Sequence, residues 1–257
     1  YFEKGKPAAP YEEIPFAGLF VNDEILDHKA EEEYLEQAGN TEKPVIGVVI
    51  HRSYIQSGNT KGVKALVEGI VQEGAFPIPV FTTLSADAAK AQSGVPYAME
   101  RYFVWNGKKL VNAIIVTTGF SLTHMGYPDG CEGEFRSSMF EKWDVPVIQT
   151  ATTRYSAQQY ETNSQGIDPM SLSSSVFQTE MDGQIITVPY ALSEPQECEG
   201  VSRRMWEPLQ ERIQKVVRMS VKYAALSRKK NSDKKIAILF HNMPGNHNIG
   251  RGTGLDT

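Results

Sequence analysis

The sequence predicts an α/β fold built on a parallel sheet, and three observations carry that reading. Four apolar runs, Val45–Ile50, Phe76–Phe81, Ala113–Thr117 and Val145–Gln149, are continuous rather than alternating, the pattern of strands covered on both faces. A stretch of helical period separates the first two. The runs end in polar or glycine-bearing turns, on the side where a parallel sheet opens its ligand crevice.

Taken in order, residues 1–43 hold Pro7, Pro10 and Pro15 and little periodicity before the acidic patch Glu31–Gln37, and are expected to form an arm with one short helix. The first strand, Val45–Ile50, delivers His51-Arg52-Ser53-Tyr54 at its C-terminal end. After the Gly58-Asn59 turn, Val63, Leu66, Val67, Ile70 and Val71 recur at helical spacing, and Gly74 closes the helix as a C-cap. Phe76–Phe81 is the second strand and Leu84–Gln92 reads as another helix. Asn106-Gly107 between apolar flanks predicts a two-residue hairpin. The third strand, Ala113–Thr117, runs into Thr118-Gly119-Phe120-Ser121 and a loop with Gly126, Gly130 and Gly133. A short helix over Arg136–Trp143 precedes the fourth strand, Val145–Gln149, which opens onto Thr150, Thr152, Thr153, Arg154 and Tyr155.

Ile185–Tyr190 is extended, and from Val201 to about Arg228 the residues Met205, Leu209, Ile213, Val216, Val217, Val221 and Ala224 mark one long amphipathic helix. A buried strand then restarts at Lys235–Phe240. The expected organisation is an arm over 1–43, an α/β domain over 44–197, a connecting helix over 198–230 and the start of a second α/β unit over 231–257. The whole reads as a parallel-sheet lobe, flavodoxin-like or periplasmic-binding-like, with a long helix crossing into a second lobe. Both chain ends read as cut: Tyr1 is not a start methionine, and the last strand and glycine loop lack the helix of a β-α-β unit.

The crevice rule gathers His51, Arg52, Ser53, Gly119, Phe120, Thr150 and Arg154 on one rim, where Arg52 or Arg154 offers bidentate contacts to a carboxylate or phosphate. A second candidate is Phe177–Gly183, read as an exposed turn. The Glu-x-Asp spacing puts Glu180 and Asp182 on one side of an extended backbone, and paired carboxylates can hold a cation or take a proton. The plainer alternative is a polar hairpin tip with Asp-Gly at its turn. His51 and His241 lack the Glu-x-x-His or His-x-x-x-His spacing of a preassembled zinc site, so no metal ligands are assigned.

Of the 257 residues 40% are apolar and 22% charged, with a net charge of −5, which suits a globular chain and gives no basic field for nucleic acid. Two cysteines, Cys131 and Cys198, make neither a metal knuckle nor a disulfide framework and fit a reducing compartment. No apolar run approaches the ~18 residues of a membrane span, and a cytoplasmic location is expected.

Several segments together carry a family likeness: His51-Arg52-Ser53 with Ser57-Gly58-Asn59, Gly74 to Phe81, Thr118-Gly119-Phe120-Ser121-Leu122, Val145–Gln149, Gly166-Ile167-Asp168-Pro169, Glu180-Met181-Asp182-Gly183, and the last loop with His241-Asn242 and Gly254-Leu255-Asp256-Thr257. The chain resembles the large subunit of cobaltochelatase and the porphyrin-binding H subunit of magnesium chelatase. It departs from them at Thr179, where the family has proline, and at Arg251, Gly252 and Thr253, where small residues are usual. The resemblance implies a segment of a tetrapyrrole-binding subunit of a metal chelatase, inactive by itself. ATP would be hydrolysed by separate motor subunits, and cobalt or magnesium inserted into a corrin or porphyrin. No Gly-x-x-x-x-Gly-Lys-Ser/Thr loop occurs here, in line with ATP binding elsewhere, and no cofactor is expected on this segment.

Insertion needs a desolvated cation and removal of two pyrrole protons, which makes Glu180, Asp182, His51 and His241 the catalytic candidates. Arg52, Ser53, Gly119, Phe120, Arg154 and Asn242 are the substrate-binding candidates. A small-anion-binding two-lobed module and a scaffold domain without catalysis stay open beside this reading.

Overall fold

The computed structural model describes residues 13–84, 94–122, 140–198 and 200–238. Its chain divides at Ser227/Arg228 into two compact units, of which the first holds all the β structure among the described residues. The strands are β1 (Ala17–Val21), β2 (Glu24–Ile25), β3 (Val45–His51), β4 (Phe76–Thr82), β5 (Val104–Trp105), β6 (Lys108–Lys109), β7 (Ala113–Val116), β8 (Val147–Thr153), β9 (Ile185–Cys198) and β10 (Val201–Pro208). Eight of them form one sheet in the order β10-β9-β8-β7-β3-β4-β1-β2. The neighbours from β4 through β3, β7 and β8 to β9 are parallel, whereas β1 on β4, β2 on β1 and β10 on β9 are antiparallel.

Renumbered along the chain, the parallel strands lie in the order 2-1-3-4-5, the flavodoxin-like winding that the sequence predicts. The chain leaves β3 for β4 on one side, then returns past it to β7 on the other. The crevice between the ends of β3 and β7 is therefore a topological switch point.

The buried strands alternate between two apolar layers. Along β3, Val45 and Val49 face a layer with Leu35, Ile78, Met99, Phe103 and Trp143, while Ile46, Val48 and Ile50 face Leu66, Ile70, Tyr190, Ile213, Val216 and Val217. The first layer is covered by α1 (His28–Asn40) and α4 (Val95–Tyr102), the second by α3 (Lys61–Gln72) and a C-terminal helix described below. Gly47 has no room for a side chain, because a Cβ there would lie 2.5 Å from the fully buried Phe103 ring. The predicted hairpin turn is present: Asn106 and Gly107 have φ of 49° and 72° and join β5 to β6.

Four expectations need correction. Residues 17–40 of the expected arm are part of the domain, since β1 pairs with β4 at Ala17↔Thr82 through Leu19↔Val80 and α1 packs Leu35 into the core. The segment expected to begin the connecting helix is strand β10, paired residue by residue with β9 from Val201↔Cys198 to Pro208↔Ala191. Only Gln210–Arg228 is helical, and its buried Ile213, Val216, Val217 and Ala224 pack on the sheet of its own lobe rather than crossing to another. The reason is Pro208, which cannot sit inside a helix and ends the strand instead. The fourth strand runs later than expected, so Thr150, Thr152 and Thr153 belong to β8 itself.

In the unit beginning at Arg228, a 3₁₀ turn at Asn231–Asp233 precedes residues 234–238, which have no regular structure. Ile236 and Ile238 are exposed there, contrary to the buried strand expected from Lys235. The rest of that strand, the helix expected over Leu84–Gln92 apart from Leu84, and the segment with His241 and Asn242 lie outside the described residues. So does the first part of the helix expected over Arg136–Trp143, of which Glu141–Trp143 is a 3₁₀ turn.

Candidate functional site

A cleft of about 350 Å³ opens at the C-terminal ends of β3, β7 and β8, where the winding changes direction. Three segments wall it. The first is His51 with Ser53 and Tyr54 on the short helix α2 (Arg52–Gln56); the second is Thr117–Phe120; the third is Met170, Ser171, Ser174 and Ser175, with Thr152 and Arg154 below and Trp206 from β10 beside them.

His51 serves as the N-cap of α2. Its Nδ1 accepts the Ser53 backbone N–H at 3.2 Å and lies 2.6 Å from the Ser53 hydroxyl. Burial lowers the imidazole pKa, which keeps the ring neutral at pH 7. With Nδ1 occupied as acceptor, the proton sits on Nε2, so the ring presents a donor to the cleft. Edge-on aromatic contacts link His51 to Tyr54 and Tyr54 to Trp206, both at 6.3 Å. Beneath them the Tyr54 hydroxyl bonds Thr152 and Tyr190, and burial raises the pKa of both tyrosines.

The two candidate arginines part company. Arg52 is spent on the N-terminal segment, donating from Nε to Pro15 O at 2.8 Å and from a second nitrogen to Ile14 O, with its guanidinium 4.8 Å from the Phe16 ring centre. It is absent from the cleft lining. Arg154 lines the cleft, is exposed, and makes no ion pair or side-chain hydrogen bond with a described residue. Thr150 also leaves the rim: it is buried within β8 and donates to Val188 O at 2.7 Å.

Glu180 and Asp182 are not a pair on an extended backbone. They stand at the end of a continuous helical run in which Pro169–Leu172 (α6) passes through a π-helical turn at Ser173–Phe177 into Gln178–Glu180 (α7), with Glu180 its last residue. At the end of that run Glu180 is exposed and Asp182 is 2% exposed, with Gly183 at φ 73° leading into β9. Asp182 accepts from Ser121 Oγ and Leu122 N, both at 2.7 Å, and so holds the end of the Thr118–Leu122 loop. It is a positioning residue for that wall.

Asp168 does the same for the opposite wall. Its Oδ1 caps α6 through Ser171 N at 3.0 Å, and its Oδ2 accepts from Thr153 Oγ1 at 3.1 Å and from the Arg154 backbone N–H at 2.9 Å. Burial alone would raise its pKa, but these hydrogen bonds together outweigh it and the pKa is lowered.

The middle wall is strained. Phe120 has φ 71°, a left-handed conformation that costs a non-glycine residue ~1–2 kcal/mol. It is held there by its N–H donating to Ser174 O at 2.7 Å. Gly119 presses against the serines, since a Cβ would meet Ser175 Oγ at 3.0 Å and Ser174 Oγ at 3.2 Å. Thr118 is 3% exposed and its Oγ1 has no hydrogen-bond partner among the described residues.

Of the sequence-derived rim, the structure thus unites His51, Ser53, Gly119, Phe120 and Arg154, and adds Tyr54, Thr118, Met170, Ser171, Ser175 and Trp206. The Ser-Leu-Ser-Ser-Ser run from Ser171 was the available signal for the third wall; Trp206 was hidden by the helical reading of its strand. Among the described residues no group of three or more His, Cys, Asp or Glu side chains stands together as a metal site, and no helix is long and apolar enough to cross a membrane.

Fold and cleft define a class: an α/β domain of flavodoxin-like winding with a ligand crevice at its switch point. The family model described as CobN/Magnesium Chelatase matches residues 1–257, so the chain belongs to that family. An uncharacterized protein of Methanocaldococcus jannaschii is 30% identical over 263 residues, spanning 100% of this chain and 20% of that protein. The aerobic cobaltochelatase subunit CobN of Pseudomonas aeruginosa is 30% identical over 86% of this chain and 16% of its own length. The chloroplastic magnesium-chelatase subunit ChlH of Oryza sativa subsp. indica is 27% identical over 83% and 14%. Among solved structures, the catalytic subunit of cobaltochelatase from Mycobacterium tuberculosis superposes with a TM-score of 0.67 at 23% identity, over 92% of this chain and 18% of that one, a likeness of fold. The chain spans a fifth or less of the length of each of these relatives.

Proposed function

We propose that this chain acts as part of the large, tetrapyrrole-binding subunit of a metal chelatase, which inserts cobalt or magnesium into a corrin or porphyrin ring. The observation that carries this reading is the family match across all 257 residues. The cleft supports it, because the switch point of such a sheet is where ligands bind. The metal is a substrate delivered from elsewhere, and ATP is hydrolysed by separate motor subunits, consistent with a sequence that has no phosphate-cradling Walker loop. By itself the chain is not expected to turn over.

A second reading, a module that captures a small anion, draws on one observation, the unpaired Arg154 at the cleft. The two separate in a titration of the chain with a metal-free porphyrin and with a hydrogenobyrinic-type corrinoid, followed by absorbance and fluorescence quenching. Saturable binding of either ring is expected. Binding of neither would withdraw the chelatase role for these residues.

A further inference from the structure

We propose that the switch-point cleft is an oxyanion site that grips a carboxylate side arm of the tetrapyrrole through Arg154, Thr118 and Ser175, leaving the ring itself outside. This rests on the tetrapyrrole reading above and deepens it.

The first support is the polarity of the lining. Its unsatisfied polar side chains can all donate. Arg154 brings a guanidinium with no described partner, and His51 presents Nε2–H because Nδ1 is held by Ser53. Ser175 Oγ makes no hydrogen bond to a described residue, whereas Ser174 Oγ is satisfied by Met170 O at 2.9 Å. No aspartate or glutamate is among the described residues lining the cleft. A site whose lining has one cation unpaired among the described residues, several free donors and no acid suits an anion. It does not suit a divalent metal, which takes anionic oxygen, sulfur or neutral-imidazole lone pairs.

The second support is Thr118. Thr118 lines the cleft at 3% exposure, and a buried hydroxyl left without a described partner costs free energy. An arriving oxyanion supplies the missing acceptor. The neighbouring strain points the same way: Phe120 is held left-handed and Gly119 is pressed to the serines, so the wall carrying Thr118 is fixed in place before any ligand arrives.

The third support is size. About 350 Å³ lies at the low end of the ~300–1,000 Å³ that encloses a drug-sized ligand. A carboxylate on a short alkyl stem fits within it, whereas a flat four-ring macrocycle with all its side arms does not. Phe120 and Met170 at the mouth are 40% and 55% exposed, and offer the ring an apolar face directly outside.

The test is a fluorescence titration of the chain with mesoporphyrin, a metal-free dicarboxylic porphyrin, with its dimethyl ester and with inorganic phosphate, using wild type, Arg154→Ala and Thr118→Val. Arg154 is exposed and its side chain makes no ion pair or hydrogen bond with a described residue, so Arg154→Ala should melt like the wild type. The diacid is expected to bind about tenfold to a hundredfold more tightly than the ester, and Arg154→Ala should abolish that preference by weakening the diacid alone. Thr118→Val should bind the diacid more weakly and yet melt higher without ligand, because an orphaned hydroxyl has been removed.

Equal affinity for acid and ester, or no effect of Arg154→Ala on a wild type that binds, overturns the side-arm site and leaves the tetrapyrrole reading intact. Phosphate binding that depends on Arg154, with no binding of either porphyrin, identifies a small-anion site and overturns both. No binding of any probe also overturns both.

Discussion

Two walls of the cleft are held by the same device and differ in what it restrains. Asp168 and Asp182 are both buried carboxylates that accept one hydroxyl and at least one backbone N–H. Asp168 caps a helix and ties it to the end of β8. Asp182 holds the end of the loop that contains left-handed Phe120. A capping carboxylate adds stability, whereas a clamping carboxylate stores strain where a ligand is expected.

The sharpest way to break the comparison is Asp182→Ala. It removes a charged acceptor from Ser121 Oγ and Leu122 N inside the fold, and about 3 kcal/mol of stability should be lost. Chemical denaturation measures this. A loss no larger than that of a surface substitution would mean the loop holds itself.

Next in size is Asp168→Asn, which keeps a capping side chain and loses the charge, at a cost of about 1 kcal/mol at neutral pH. The sign of its pH dependence is fixed by the lowered folded-state pKa. The stabilisation is complete above the unfolded value of ~3.9 and fades as pH falls through the lower folded value. Thermal melts from pH 7 to pH 3 should therefore bring wild type and Asp168→Asn together at the acid end. A gap that widens on acidification would refute the assignment.

The smallest effect sharpens the comparison: Phe120→Asn, which tolerates a left-handed backbone, should raise stability by about 0.5 kcal/mol while weakening ligand contact at the mouth.

Much of this architecture was legible in the sequence because the central strands are covered on both faces and so appear as unbroken apolar runs. The Asn106-Gly107 turn and the Gly74 cap were legible for a local reason, since each needs a positive φ. What escaped was non-local. Met205, Leu209 and Ile213 continue a helical spacing, yet residues 201–208 are claimed by pairing with β9, and only Pro208 signalled the break. Ala17–Val21 is a short strand next to the edge strand β2, and its other partner, β4, lies some sixty residues on.

At the site, the crevice rule gathered seven residues of which five line the cleft, and it could not choose between Arg52 and Arg154. That choice depends on the backbone carbonyls of Ile14 and Pro15, which only the folded N-terminal segment brings near. The Glu-x-Asp spacing named two acids but not their environment, because an extended and a helical backbone send them in different directions.

Trp206 is the last piece of the cleft to be made, and its backbone N–H is fixed by Asn59 Oδ1 at 2.7 Å across 147 residues of sequence. At a synthesis rate of ~5–20 residues per second, on the order of 10–30 s separates the two partners leaving the ribosome. During that interval the edge that β9 and β10 will later occupy stands open, and an unpaired edge invites pairing with a stranger. Ligand binding at this cleft therefore reports more than affinity: a chain that binds has finished its sheet.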